Sequence, residues 1–296
     1  MSDINHAAKV GPPKAFRQVT TEVSWVRYTL ITVVVALLAL LLFAPLITVF
    51  VEALNKGAAT AVASLANPEA TSAIRLTLMV AAFAVPINAV FGVAAAWLIT
   101  KFTFKGKAIL ITMIDIPFSV SPVVAGLCIV LTFGANSWVG GWLVAHGMPV
   151  VFAVPGIIMA SMFVTFPFVA RELIPVLEAN GPEEELAARS LGASGWQMFT
   201  RITLPNVKWG LLYGVILCNA RAMGEFGAIA VVSGRIAGKT DTMPLRVEKL
   251  FQESNNPAAM AVASLLTMVA LGTLLLKVVV ERQMRAQKAL SAEVSP

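Results

Sequence analysis

Six long apolar segments constrain this chain more than any other feature of its sequence. They cover residues 28–51, 75–100, 108–133, 150–170, 209–232 and 258–280, and each is close to the roughly 20 residues that a helix needs to cross a bilayer. Charged residues make up only 13% of the chain, whereas about 25% is usual in soluble domains. The sequence therefore predicts an all-α integral membrane protein with six spanning helices.

Polar segments flank this membrane domain. The sequence predicts an N-terminal tail over residues 1–27, a membrane domain over 28–280 and a C-terminal tail over 281–296. The first apolar segment is longer than the core of a cleavable signal peptide, and no clear small-x-small site follows it. We therefore expect it to be retained as the first span.

Lysine and arginine residues are unequally divided between the two sides of the membrane. With six spans both termini lie on one side, which carries 15 of the 22 basic residues, while the other side carries 6 and Arg221 lies within a span. The positive-inside rule places the more basic side in the cytoplasm. This predicts cytoplasmic termini and a cytoplasmic 181–205 segment, with 233–257 outside, and it explains the net charge of +6 without nucleic-acid binding.

The longest polar interruption lies between the fourth and fifth apolar segments and reads GPEEELAARSLGASGWQMFTRITLP, from Gly181 to Pro205. Asn180 is suited to cap a helix that has Pro182 at its first position. Three glutamates then follow in the first turn, where the helix dipole favours negative charge. Gly192 is suited to the left-handed position that ends such a helix.

A second short helix is predicted directly after the first. Ser194 is suited to cap it, with Gln197 three residues later as its capping-box partner. Leu204 and Pro205 are predicted to stop this helix, because proline cannot continue the hydrogen-bond ladder. The 181–205 segment therefore predicts two short cytoplasmic helices that meet at Gly192.

Polar residues inside the predicted spans are candidates for a translocation path, since such residues are costly in a membrane. The fifth segment contains Asn219, Arg221 and Glu225. Arg221 and Glu225 are four residues apart and share a helix face, and Arg221 lies about 18 Å along the helix from Trp209, near the middle of the membrane. Two interpretations stay open: a positive group beside an anion path, or an ion pair that locks two helices.

The third segment contains Asp115 in the sequence DIPFSVSP. Pro117 and Pro122 are predicted to break this span, which membranes tolerate mainly around cavities and helix contacts. Asp115 is therefore either a path residue or a polar anchor near the cytoplasmic end. Asn88, beside Pro86, is predicted to make a hydrogen bond between helices.

Signatures of enzymes and nucleotide-binding proteins are absent from the sequence. It contains no G-x-x-x-x-G-K-[ST], no G-x-S-x-G and no H-E-x-x-H, so any ATP must be bound by another chain. An intramembrane enzyme would have only Asp115 and Glu225 as candidate carboxylates, without a motif around them. A self-contained channel or secondary carrier would have no use for the two predicted cytoplasmic helices.

Part of the 181–205 segment resembles the cytoplasmic coupling motif of ABC-importer permeases. The residues that match at the family spacing are Ala187, Ala188, Gly192, Ile202, Leu204 and Pro205. Leu186 occupies the usual glutamate position, and Glu185 lies one residue earlier. The resemblance extends over about 28–280, and the segments NARAMGEFG and DIPFSVSPVVAGL are similar to the sulfate, thiosulfate and molybdate group, in particular to sulfate/thiosulfate permease subunits.

This resemblance implies a six-span type I ABC-importer permease bundle with a cytoplasmic coupling helix, in a bacterial inner membrane. The implied function is sulfate/thiosulfate import, with molybdate or tungstate as the alternative. The implied partners are a homologous permease subunit of the CysT (CysU) type, two ATPase subunits of the CysA type that bind ATP and Mg²⁺, and a periplasmic sulfate/thiosulfate-binding protein. The chain itself would hold no cofactor and catalyse no reaction.

The resemblance also assigns roles to residues. Glu185 and the six matching residues would contact the ATPase subunits.

The polar segment 233–257 contains Arg235, Lys239, Arg246 and Lys249. It is expected either to meet an acidic surface of the binding protein or to be a solvated loop.

Overall fold

The computed structural model describes the backbone of residues 24–294 and the side chains of residues 25–283. The predicted tail over 1–27 lies almost entirely outside the described residues. The described residues are mostly helical and contain no strand. The prediction of an all-α protein is therefore confirmed.

Thirteen α-helices occur within residues 24–294. They are α1 (Ser24–Leu54), α2 (Ala58–Leu65), α3 (Pro68–Lys101), α4 (Lys107–Ser119), α5 (Pro122–Phe133), α6 (Trp138–Ala145), α7 (Val154–Ala179), α8 (Glu183–Ser190), α9 (Gly195–Met198), α10 (Leu204–Met223), α11 (Gly227–Val232), α12 (Met243–Gln252) and α13 (Asn256–Val294). A π-helical turn, Phe199–Thr203, joins α9 to α10. The last helix continues through the predicted C-terminal tail as far as Val294.

The chain divides into two units, residues 1–48 and 49–296. In the first unit the described residues form a single apolar helix, the first part of α1. The second unit contains all the other helices, and the following paragraphs concern that unit.

Four of the described helices are long and apolar enough to cross a membrane: α1, α3, α7 and α13. The pair α4 and α5 forms a fifth candidate, bent by 108° at the break between them. Pro122 lies in the first turn of α5, so the predicted break of the third span is confirmed.

The fifth apolar segment departs from the prediction of one helix over 209–232. It forms α10 and α11, which are separated by a break at Gly224–Phe226. The polar residues of α10, among them Lys208, Asn219 and Arg221, lower its mean hydropathy, and α10 is not among the helices apolar enough to span by composition alone. Of these groups Asn219 and Arg221 are half-buried, while Lys208 is exposed.

Close packing of α3, α7 and α10 forms the central core of the second unit. A Cβ atom added at Gly92 of α3 would lie 2.6 Å from the Cβ of Val169 in α7. The side-chain amide of Asn88 donates to the carbonyl of Met162 at 3.1 Å and to the hydroxyl of Thr165 at 2.7 Å. The hydrogen bond predicted for Asn88 between helices is thus observed, and it joins the same two helices.

The short helix α11 packs against α5 with very little space between the backbones. A Cβ at Gly126 would lie 2.6 Å from the carbonyl oxygen of Ala228, and a Cβ at Gly227 would lie 3.1 Å from the Cβ of Pro122. Small residues therefore bring the break in the fifth segment against the break in the third.

Candidate functional site

The segment 181–205 begins with a turn that places α8 directly after α7. Asn180 is the C-terminal cap of α7, and Pro182 is the N-terminal cap of α8, whose first hydrogen bond runs from Leu186 N–H to the Pro182 carbonyl at 2.9 Å. The prediction that Asn180 caps α8 is wrong, because α7 extends to Ala179. Gly181 makes the turn between the helices with a φ of +65°.

Gly192 ends α8 in the left-handed conformation, with a φ of +84°, as predicted. Its N–H donates to the Arg189 carbonyl, and the N–H of Ala193 donates to the Ala188 carbonyl, both at 3.0 Å. This pair of bonds is a Schellman motif, which satisfies carbonyls that the end of a helix leaves free. A residue with a Cβ is strained in this conformation.

The predicted capping box of the second short helix is present. Gln197 N–H donates to the Ser194 hydroxyl at 3.3 Å, and Ser194 N–H donates to the Gln197 side-chain oxygen at 2.9 Å. The predicted stop at Leu204-Pro205 is wrong, since α9 continues through the π-helical turn into α10. In that turn Leu204 N–H donates to the carbonyl of Phe199, five residues earlier, and this wider turn accommodates Pro205, which lies in the first turn of α10.

Three large apolar side chains of this segment are exposed: Leu186 (61%), Leu191 (88%) and Trp196 (73%). Ala187 is exposed beside them, while Ala188 and Ile202 are half-buried. Apolar exposure is expected on a surface that faces lipid, but it is unusual in a polar segment outside the spans, where it marks a site of protein contact. The motif alone does not single out Leu191 and Trp196, and their only sequence signal is apolar character within a polar stretch.

Glu185 faces the interior of the protein. One carboxylate oxygen lies 3.0 Å from Lys101 Nζ, at the end of α3, and the other accepts a hydrogen bond from the Thr203 hydroxyl at 2.6 Å. Lys101 also donates to the Gly181 carbonyl at 3.0 Å. Sequence reasoning missed Lys101, because nothing in the local pattern relates it to Glu185.

The pair Arg221 and Glu225, which the sequence predicts to lie within the membrane, lies at the break between α10 and α11. The two side chains form an ion pair of 2.6 Å in which the Glu225 side chain is fully buried and that of Arg221 is 35% exposed. The second Glu225 oxygen accepts from Ala228 N–H at 3.0 Å and so caps the start of α11. Glu225 therefore stabilises the break, while part of the Arg221 side chain stays accessible.

The other polar candidates have different partners. Asn219 is half-buried and its amide contacts the sulfur of Met223 at 3.6 Å. Asp115 pairs with Arg171 of α7 at 2.8 Å and not with the Arg221–Glu225 pair. The structure thus brings Arg221 and Glu225 together and places Asp115 in a separate ion pair between α4 and α7.

The segment 233–257 is not the solvated loop that was one of its two interpretations, because it contains α12. Arg246 of α12 is 5% exposed and pairs with Glu69 of α3 at 2.6 Å. Met243 N–H donates to the Thr77 hydroxyl of α3 at 2.9 Å. Of the four basic residues named in this segment, Arg246 is therefore buried and unable to meet a partner protein.

Asp241 is buried next to this ion pair, and neither of its carboxylate oxygens has a hydrogen-bond partner. Burial raises the pKa of this carboxyl above its ordinary value because it disfavours the charged form; the charges of Arg246, Lys249 and Arg235 oppose the rise, and Glu69 adds to it. The folded protein therefore binds this proton more tightly than the unfolded chain. Ionisation of Asp241 therefore lowers the free energy of unfolding as the pH rises through the folded pKa.

Asp241→Asn is expected to stabilise the protein at neutral pH, since the amide carries no charge to desolvate. Each unit by which the pKa is raised corresponds to about 1.4 kcal/mol. The gain should shrink as the pH falls towards the ordinary carboxyl range, because the wild-type carboxyl is then neutral as well. Thermal unfolding of the detergent-solubilised protein across this pH range measures the difference.

The matched control for this comparison is Glu253→Gln, which changes an exposed carboxyl close to α12. We expect no comparable pH-dependent gain from it. An Asp241→Asn protein whose stability relative to wild type does not change with pH would contradict the burial argument.

Comparison of this sequence with known proteins finds relatives among membrane transport components. Residues 88–286 match the family described as "Binding-protein-dependent transport system inner membrane component". The chain is 48% identical to the sulfate transport system permease protein CysW of Synechocystis sp. over 94% of this chain and 98% of that protein. It is 48% identical to CysW of Escherichia coli K12 over 90% and 91% of the two chains, and 40% identical to the sulfate transport system permease protein CysT of the same organism over 69% and 74%.

Solved structures share the fold at low sequence identity. A chain of a bacterial alginate ABC transporter, crystallised in complex with an alginate pentasaccharide-bound periplasmic protein, matches with a TM-score of 0.73 and 19% identity over 88% of this chain and 95% of that chain. A second structure, of a bacterial ABC transporter involved in alginate import, matches with a TM-score of 0.71 and 17% identity. The predicted type I ABC permease fold is thereby confirmed.

Proposed function

Because the chain belongs to the family of binding-protein-dependent transport system inner membrane components, we propose that it is a membrane-spanning subunit of an ATP-driven sulfate importer. The observation that carries this proposal is the 48% identity to CysW sulfate permeases over nearly the full length of both chains. These relatives favour sulfate over the alternative of molybdate or tungstate. Thiosulfate is a second proposed substrate.

The translocation path would form between this chain and a homologous permease subunit. Similarity to both CysW and CysT supports two related permease subunits in one importer, and the alginate transporter crystallised with its periplasmic protein supports delivery by a binding protein. ATP would be bound and hydrolysed by two separate ATPase subunits, since this chain has no nucleotide-binding motif. The chain itself would then catalyse no reaction and hold no cofactor.

The segment 181–205 is the proposed contact with the ATPase subunits. Its exposed apolar side chains, Leu186, Leu191 and Trp196, suit a helix that lies in a groove of a partner. The segment leads from α7 at one end and continues without a stop into α10 at the other. A displacement of this segment on ATP binding would therefore move two of the three core helices.

Orientation follows from the basic residues and is also a proposal. The termini and the segment 181–205 would lie in the cytoplasm, and 233–257 would lie outside the inner membrane. Both Lys239 and Ser194 are exposed, so the side of the membrane decides which one a reagent reaches. In intact cells that carry single-cysteine variants, an impermeant thiol reagent should label Lys239→Cys and should not label Ser194→Cys. The reverse pattern of labelling would show that the topology is inverted.

Arg221 is the proposed positive group beside the path. Asn219, two residues earlier, and Asp115 stay predictions for the path.

In vesicles that contain the assembled importer, uptake of labelled sulfate should resist excess molybdate. Arg221→Gln should lower that uptake several-fold, because an accessible charge attracts the anion.

Assembly has to be checked in the same vesicles, because Arg221 also pairs with Glu225. Normal uptake by a fully assembled Arg221→Gln importer would leave the residue only a structural role. Uptake that molybdate abolishes would favour the alternative substrate.

Gly192→Val tests the coupling segment. A β-branched residue is a severe outlier at the left-handed φ of this position, and we expect a cost of about 1–2 kcal/mol that turns α8 away from α9. The complex should lose ATPase association and sulfate-stimulated ATP hydrolysis, while the spans stay inserted. Co-purification and hydrolysis in proteoliposomes measure the two effects.

Gly195→Val provides the matched control, because a Cβ there has open space around it, as at Gly192, and its φ is not positive. It adds the same bulk to the same segment without backbone strain. Wild-type coupling in Gly192→Val, or equal losses in both variants, would contradict the proposed role of the left-handed turn.

A further inference from the structure

The last turn of α3 lies where both short helices of the 181–205 segment meet the membrane domain. Trp97 and Lys101 are four residues apart and so share one face of α3. Lys101 pairs with Glu185 of α8 at 3.0 Å. The Trp97 ring lies 5.3 Å from that of Phe199, which in turn stacks on Trp196 of α9 at 5.7 Å.

Few other contacts hold α8 in place. It has eight residues and none of them is buried, and helices much shorter than about 12 residues are not stable by themselves in water. Two glycines in the left-handed conformation, Gly181 and Gly192, flank α8. They leave it without a continuous helical connection to either neighbouring helix. The orientation of α8 therefore depends on its caps and on a few polar contacts near its start.

The contacts of Lys101 link three separate parts of this region. Its ammonium group binds the Glu185 carboxylate and the Gly181 carbonyl, and the same carboxylate accepts from the buried Thr203 hydroxyl of the π-helical turn. The Lys101 and Glu185 side chains are only 15% and 20% exposed. A pair this shielded is screened by salt much less than a surface pair.

We propose that Lys101 is a positioning residue of the importer, which fixes α8 on the end of α3 through Glu185. A displacement of the coupling segment is then transmitted to α3 through this ion pair, and to α7 and α10 through the chain itself. All three core helices would therefore move together. This inference rests on the proposed coupling function. In this chain Glu185 acts inside the permease, and the exposed Leu186 presents an apolar side chain at the position where the family has its glutamate.

The experiment compares Lys101→Met and Glu185→Gln with wild type in the complete importer, reconstituted with its second permease, the ATPase subunits and the sulfate-binding protein. Lys105→Met and Glu183→Gln are the matched controls, since both residues are exposed and make no ion pair in the described structure. Two quantities are measured: amide hydrogen exchange of residues 183–190, and the amount of sulfate transported for each ATP hydrolysed.

Both Lys101→Met and Glu185→Gln should speed the exchange of α8 by about three- to fivefold, the effect of losing one partly buried ion pair. Sulfate transported for each ATP should fall, while the ATPase subunits still co-purify. The double variant should lose less than the sum of the two single losses, because both remove the same ion pair, although each also removes one hydrogen bond of its own. Exchanging the charges, with Lys101→Glu and Glu185→Lys together, should recover part of the loss.

The proposal fails if Lys101→Met behaves like Lys105→Met, if the two losses add in the double variant, or if α8 loosens without any change in sulfate transported for each ATP. A wild-type complex that transports no sulfate would instead overturn the proposed function. The exchange measurement needs no transport, so in that case it still decides whether Lys101 holds α8.

Discussion

Close contact between α3 and α7 is the constraint on which the rest of the membrane domain depends. Gly92 leaves no room for a side chain against Val169, and the Asn88 amide bridges the same helices. In a bilayer, association of helices depends on such close packing and on hydrogen bonds, because lipid is as apolar as the helix surface. The third core helix, α10, packs on both, so the two ends of the segment 181–205 emerge from one packed core.

The segment 181–205 is held in a different way from this core. No residue of α8 is buried, and local hydrogen bonds define its ends. A cap contributes typically about 1 kcal/mol and a partly exposed ion pair up to about 1 kcal/mol. Weak internal attachment leaves the apolar side chains of Leu186 and Leu191 available to a partner, since a helix that used them to pack on its own chain would have no docking surface. Binding of the proposed ATPase partner would then supply the remaining stability.

Sequence reasoning succeeded where the signal was local. Gly192 and the Ser194–Gln197 capping box were predictable because their partners lie within a few residues. The prediction that Pro205 stops the helix was wrong. It assumed the four-residue hydrogen-bond spacing of a regular α-helix, whereas the π-helical turn has a spacing of five residues. The Lys101–Glu185 and Arg246–Glu69 pairs were not predictable at all, since their members are distant in sequence and meet only in the folded bundle.

Two ion pairs of the bundle expose their cation more than their anion, whereas the Arg246–Glu69 pair does the reverse. In the Arg221–Glu225 pair the arginine is 35% exposed and the glutamate is fully buried, and in the Arg171–Asp115 pair the exposed fractions are 54% and 33%. In both pairs the cation is the more accessible member. The buried carboxylate offsets the cost of placing an arginine in the membrane, and it also weakens the field that an anion meets. If Arg221 lies beside the path as proposed, such a field would attract sulfate without holding it, which transport requires because a substrate must leave its path as well as enter it.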